Sequence, residues 1–299
     1  MEIGLHRGVE DILQGYEGLQ APDAAEKQKV ENSTLQEMFG NFELMLRAYG
    51  QKGPDITMRH VPAPEEIELF LHGSVEYEAH SNYQYVAGRF TTWLIQNSYN
   101  AGFNNFVLDT RILSRDSLAG LCTGLAGTVD APIAVKITGS SGTHCCRYAH
   151  DARITADTIG EQSGISCNRV EMRAKSIGDL SGLGSKYCSF HADSIGSFLG
   201  NRSEHSLFSA RYIHGHSSFN SARHITVISE CPVTWSGLSV EDNKDHNKAK
   251  KALDMNPAWF SAFKTHDKKT LEWALGHIRK WHGNRIYFIH PNGEEERCR

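Results

Sequence analysis

The chain has 299 residues, 39% hydrophobic and 22% charged, with a formal net charge of −4. These totals fit a folded protein and exclude a disordered or low-complexity one, and no stretch approaches the ~20 apolar residues that span a bilayer. Seven cysteines, an odd number without paired spacing, exclude the disulfide framework of a small secreted scaffold.

Residues 1–60 read as an N-terminal helical cap. Leu35, Met38, Phe39, Phe42, Leu46 and Tyr49 fall on one helical face, with Ser33 as N-cap and Gly50 as stop. The stretch from Gln51 to Asp55, with a glycine and a proline, sets a boundary. The N-terminus carries no basic-then-apolar leader pattern, so a cytoplasmic protein is expected.

Residues 61–243 read as a parallel β-helix, with a period of two from about Ile67 and a repeat at their centre. Ala-Asp-Thr-Ile-Gly at Ala156 returns as Ala-Lys-Ser-Ile-Gly at Ala174 and Ala-Asp-Ser-Ile-Gly at Ala192, with a worn copy at Ala210, each start 18 residues after the last. A unit this short cannot bury a core alone and must stack on its neighbours. Side chains alternate across a strand, so stacking predicts two inward ladders. One runs through Ile154, Met172, Phe190 and Phe208, the other through Ile159, Ile177, Ile195 and Ile213. Gly160, Gly178 and Gly196, and then Gly164, Gly182 and Gly200, mark the corners. Val75-Tyr77-Ala79, Phe106-Leu108-Thr110 and Ile133-Val135-Ile137 are expected to form earlier coils, and Ile225-Val227-Ser229 a later one.

This spacing of small residue, aliphatic, glycine and second glycine resembles, over roughly residues 130–240, the glycine-rich repeat of a right-handed parallel β-helix. That repeat occurs in the C-terminal domain of the large chain of glutamate synthase and in one of the chains of formylmethanofuran dehydrogenase. Here alanines 156, 174, 192 and 210 stand where that family prefers glycine. The resemblance implies a scaffolding and interface element rather than a seat of catalysis. A left-handed helix of hexapeptides is the alternative, since nine of the twelve positions taken every six residues from Ile159 to Ile225 are apolar. It would bury Arg169, Lys175, Asp193 and Arg211, which desolvation forbids. The expectation is a mainly β fold, a right-handed parallel β-helix with 18-residue coils and α-helical caps at both ends.

Residues 244–299 read as a C-terminal helical segment with a short strand. Asp267 caps a helix with an apolar stripe of Leu271, Ala274, Leu275, Ile278 and Trp281, ended by Gly283, and a strand over 286–289 follows. The segment holds 12 basic and 7 acidic residues and most of the tryptophans (Trp259, Trp273, Trp281; Trp235 just precedes it). No nucleic-acid motif accompanies them, so the tryptophans are expected to seal the end of the core.

Sixteen histidines supply the candidate chemistry. His214 and His216 share a face of an extended segment, and with His191 or His224 from adjacent coils they could hold a metal, zinc by ligand type, or act as general base. His144-Cys145-Cys146 is a second cluster, but adjacent cysteines on a strand point opposite ways. Cys188 is expected in the core and Cys167 at a turn or edge. Gly139-Ser140-Ser141-Gly142 could cradle an anion or form a tight corner. Asp157 and Asp193, two coils apart with Lys175 between, are read as a neutralised column. The leading expectation is a non-catalytic β-solenoid scaffold or protein-interaction module, an accessory subunit of a larger assembly. Its partner would be a protein or a second copy, not nucleic acid or membrane, and the sequence requires no cofactor. The alternatives are an enzyme with a histidine-based, metal-assisted site at His191, His214 and His216, and a carbohydrate-binding or -cleaving β-helix.

Overall fold

The computed structural model describes residues 25–49, 56–114, 117–214, 219, 221–231, 259–277 and 285–299. Three helices come first, α1 (Ala25–Arg47), α2 (Pro64–Gly73) and α3 (Tyr83–Asn100). Eight strands follow, β1 (Asn105–Asp109), β2 (Ile133–Ser140), β3 (His150–Ile159), β4 (Asn168–Arg173), β5 (Ser176–Ile177), β6 (Ser189–Ile195), β7 (Leu207–Ile213) and β8 (Arg223–Ser229). The chain continues with β9 (Trp259–Thr265), α4 (Lys268–His277), β10 (Ile286–Ile289) and β11 (Glu295–Arg297). All strands join one sheet, and stacked parallel neighbours make it a β-solenoid of about six turns.

The two inward ladders form in the expected register. Ile154 pairs with Met172, Met172 with Phe190 and Phe190 with Phe208; Ile159, Ile177, Ile195 and Ile213 stack likewise. All eight side chains are buried, and the Phe190 and Phe208 rings lie face to face with centroids 4.9 Å apart. Each buried member stabilises the stack by roughly 1.5–3 kcal/mol. Arg169, Lys175, Asp193 and Arg211 are all exposed, so the hexapeptide register that would bury them is not the one adopted.

The side of the coil opposite the strands turns by alternating backbone hand. Gln162, Gly164 and Ser166 have φ of 57°, 65° and 53°, and the pattern recurs at Leu180, Gly182 and Gly184 and at Phe198, Gly200 and Arg202. Successive left-handed residues send their N–H groups to opposite neighbours. Gln162 donates to the Asp179 carbonyl (2.8 Å), Gly164 to Cys145 (2.7 Å) and Ser166 to Leu183 (2.8 Å). A left-handed residue with a Cβ carries about 1–2 kcal/mol of strain, which this cross-coil ladder offsets. Glycine stands where the position also faces inward: a Cβ on Gly164 would lie 2.7 Å from the Phe190 ring.

Helix α3 closes the N-terminal end of the solenoid. Thr92 and Gln96, one turn apart, face the first coil. Thr92 Oγ1 accepts the Cys122 N–H at 2.7 Å. The Gln96 amide takes the Ala126 N–H at 2.8 Å and donates to the Ala126 carbonyl at 3.2 Å, so two side chains stand in for a missing strand. Phe42, Phe70 and Phe90 pack between the helices and run into the solenoid core without a break.

Three local readings are corrected. Ser33 is not an N-cap but lies inside α1, which begins at Ala25. Val75-Tyr77-Ala79 is not a coil strand but a 3-10 turn (Ser74–Tyr77) and its exit. Tyr77 is drawn among the helices, its ring 5.3 Å from Phe42 and its hydroxyl donating to Glu43 at 2.8 Å. At the other end β9 and β10 extend the parallel sheet, and antiparallel β11 makes its last edge. The Asp267 cap is present, its carboxylate accepting the Thr270 N–H at 2.7 Å. Trp273 packs on the core with its ring 6.0 Å from Phe263. Gly50, Gln51–Asp55, Trp235, Ile278, Trp281 and Gly283 lie outside the described residues.

Candidate functional site

The structure spreads the histidines along the solenoid. His191 is half-buried on β6 in register with Arg173 and Ser209. Burial, then the Arg173 charge, lowers its pKa, so the imidazole is neutral at physiological pH. His214 is exposed just past Ile213, which pairs with Ile195. That places it five strand positions from His191, or ~16 Å at roughly 3.3 Å per residue. His216 lies outside the described residues. Among the described residues, no group of three metal-ligating side chains includes a histidine. The Gly139 corner is filled from within, its N–H donating to the Asp157 carboxylate at 2.9 Å. Lys175 bonds the same carboxylate at 2.9 Å, as the neutralised column requires.

His224 takes part in a different array. Asp151, Arg169, Tyr187, His205 and His224 occupy one corner in five successive coils, all left-handed with φ of 50–53°. Arg169 clamps Asp151 through Nε and Nη2 at 2.6 and 2.8 Å. The Tyr187 and His205 rings stack at 5.0 Å, and His205 and His224 at 4.8 Å. Asp151 is buried, and the other four side chains are exposed. The result is a rigid outward column with one rung per coil.

A buried thiol cluster lies at the capped end. The turn through Cys145 has left-handed residues on both sides, His144 (φ 62°) and Cys146 (φ 57°). The strand rule that would send adjacent side chains to opposite faces does not apply, and both cysteines turn inward. Their sulfurs are 3.8 Å apart. Cys122, left-handed at φ 62° in the preceding coil, adds a third, all three Sγ atoms lying within 4.8 Å of one another and fully buried. The backbone around them is tied: the Cys146 N–H donates to Leu121, the Gly164 N–H to Cys145, and the Cys145 N–H to Ser163 Oγ. Hydrogen bonding with Cys122, then with Cys146, draws the Cys145 thiol down. The same bond pushes the Cys122 thiol up, and burial pushes Cys146 up. Further along, Cys167 and Cys188 are both buried, with sulfurs 3.2 Å apart; Cys167 lies between the turn over 161–166 and β4, as expected, with its side chain in the core.

No family model, curated protein or solved structure matches this chain. Its chemistry is therefore read from these side chains alone. The thiol cluster is hidden in the sequence because strand geometry would send Cys145 and Cys146 to opposite faces. The available signal is recurrence: Cys122, Cys145-Cys146, Cys167 and Cys188 follow one another at intervals of 21–23 residues, about one coil. Among the described residues no helix is long and apolar enough to cross a membrane.

Proposed function

We propose that this chain is a non-catalytic scaffold, an accessory subunit that docks a protein partner along the corner column of Arg169, Tyr187, His205 and His224. The observation that carries this reading is a continuous array: Arg169 clamps Asp151, and the Tyr187, His205 and His224 rings stack one on the next. Each corner has the left-handed conformation that glycine adopts without strain, yet five coils in succession hold a large polar or aromatic side chain there. Left-handed residues other than glycine occur at other turns too, as at Gln162, Leu180 and Phe198; at this corner they also carry side chains that clamp and stack coil on coil, a reason to look for function in them. Tyrosine and arginine are the residues that dominate protein interfaces, and an array already stacked loses little entropy on binding. The resemblance to the β-helices of glutamate synthase and formylmethanofuran dehydrogenase supports the same role. Thiol usage favours a reducing, cytoplasmic setting.

Glycine provides the test. In a Tyr187→Gly/His205→Gly variant the corners relax while the column is lost. Stability is expected to stay within about 1 kcal/mol of the parent or rise. A stoichiometric partner that co-elutes with the parent from native extract is expected to be absent from the variant. A parent that elutes alone, or a variant that keeps its partner, overturns the proposal.

A further inference from the structure

We propose that Cys122, Cys145 and Cys146 form a three-coordinate binding site for a soft monovalent cation, cuprous copper. This site is independent of the docking column: the thiols are buried inside the first coils, whereas the column is on the surface.

Three observations lead to it. The first is spacing. Sulfurs bound at ~2.3 Å to one ion stand roughly 3.8–4.0 Å apart, and here two are 3.8 Å apart with the third inside a 4.8 Å radius. The second is donor type. Three thiols and no oxygen or nitrogen ligand suit Cu(I), zinc or an iron–sulfur centre. Zinc closes its tetrahedron with a fourth ligand, and no fourth His, Cys, Asp or Glu joins the group among the described residues. An iron–sulfur cluster would have to fit its inorganic core between sulfurs less than 4.8 Å apart, where only a single ion has room. The third is rigidity. Both turns are pinned by neighbouring backbone and by Thr92 of α3, so the donors are held without the metal.

Binding is a ligand exchange without electron transfer. Cu(I) arrives on a small thiol carrier, the protein sulfurs displace that carrier, and their protons pass to the departing thiolate and to water. Because all three side chains are fully buried, loading takes place as the first coils close under α3, and release is slow.

The experiment expresses the full chain in copper-supplemented cells and purifies it with a reductant. Copper per chain is then measured, together with X-ray absorption at the copper edge. We expect about one Cu(I) per chain with sulfur-only neighbours. Copper content should fall at least tenfold in Cys145→Ser and stay unchanged in Cys298→Ser, which sits on the last edge. The absorption spectrum of the parent decides alone if Cys145→Ser does not fold. A copper-free folded parent, nitrogen neighbours around the copper, a disulfide within the trio, or full copper in folded Cys145→Ser would each overturn the site.

Discussion

Asp151 is nearly sealed from solvent, while Arg169, its partner one coil on, remains half exposed. The two-pronged Arg169 clamp, aided by His150 Nδ1 at 3.2 Å, holds the Asp151 carboxyl below the ordinary carboxylate range. A depressed folded-state pKa stabilises the fold fully above the unfolded value of about 3.9, and the contribution disappears as pH falls through the folded value. Arg169→Ala leaves the carboxylate buried with only His150 beside it. A loss of stability at neutral pH is expected. The acid limb of the stability profile should move to higher pH, because the Asp151 pKa rises. Urea melts between roughly pH 3 and 7 measure both effects, and an acid limb that does not move would show that the clamp contributes nothing.

Helix α3 is the element on which the capped end depends. Gly88 lets it approach the first coil so closely that an added Cβ would lie 2.2 Å from the Ala119 carbonyl oxygen. Alanine is favoured over glycine in a helix by about 1 kcal/mol. The backbone clash outweighs that gain, since overpacking against atoms that cannot yield costs about 1–3 kcal/mol or more. Gly88→Ala is therefore expected to lower the melting temperature, and a rise would refute the close approach. Elements of this kind are only partly legible in the sequence. The ladders through Ile159 and Ile154 can be read because a fixed period multiplies one weak signal by the number of coils. Tyr77 cannot, since three alternating residues look alike in a strand and in a 3-10 turn, and only tertiary packing against Phe42 decides between them. Strand β9 gives no signal of its own and is ordered by pairing with β8. The corner column and the thiol trio are hidden for a shared reason. Both arise from left-handed residues, and period-two reasoning assigns every side chain as though the backbone were extended.

At the scale of the molecule, each coil contacts chiefly its two neighbours, so stability is close to a sum over coils and their junctions. Removing residues 170–187 should join Arg169 to Cys188 in register and bring Ile154 against Phe190. The shortened chain is expected to keep a single cooperative thermal transition, at a lower temperature. Removing residues 170–178 alone should abolish that transition, because half a coil leaves inward and outward faces exchanged. Circular dichroism melts of the two deletions provide the comparison, and similar melts would contradict the stacked arrangement. The last edge is protected differently from the first. Strand β11 runs antiparallel and presents Glu295, Glu296 and Arg297 to solvent, a charged border that discourages further strands from adding.

The fixed coil length also bears on how such a chain can change over generations. A copying error that duplicates one whole turn inserts a ready-made rung with its own inward residues and leaves every older junction intact. The interval between His205 and His224 is one residue longer than the others in the corner column. The His205–His224 ring stack survives it. Small additions are thus absorbed in the turns, and growth by whole turns lengthens the molecule without redesigning it.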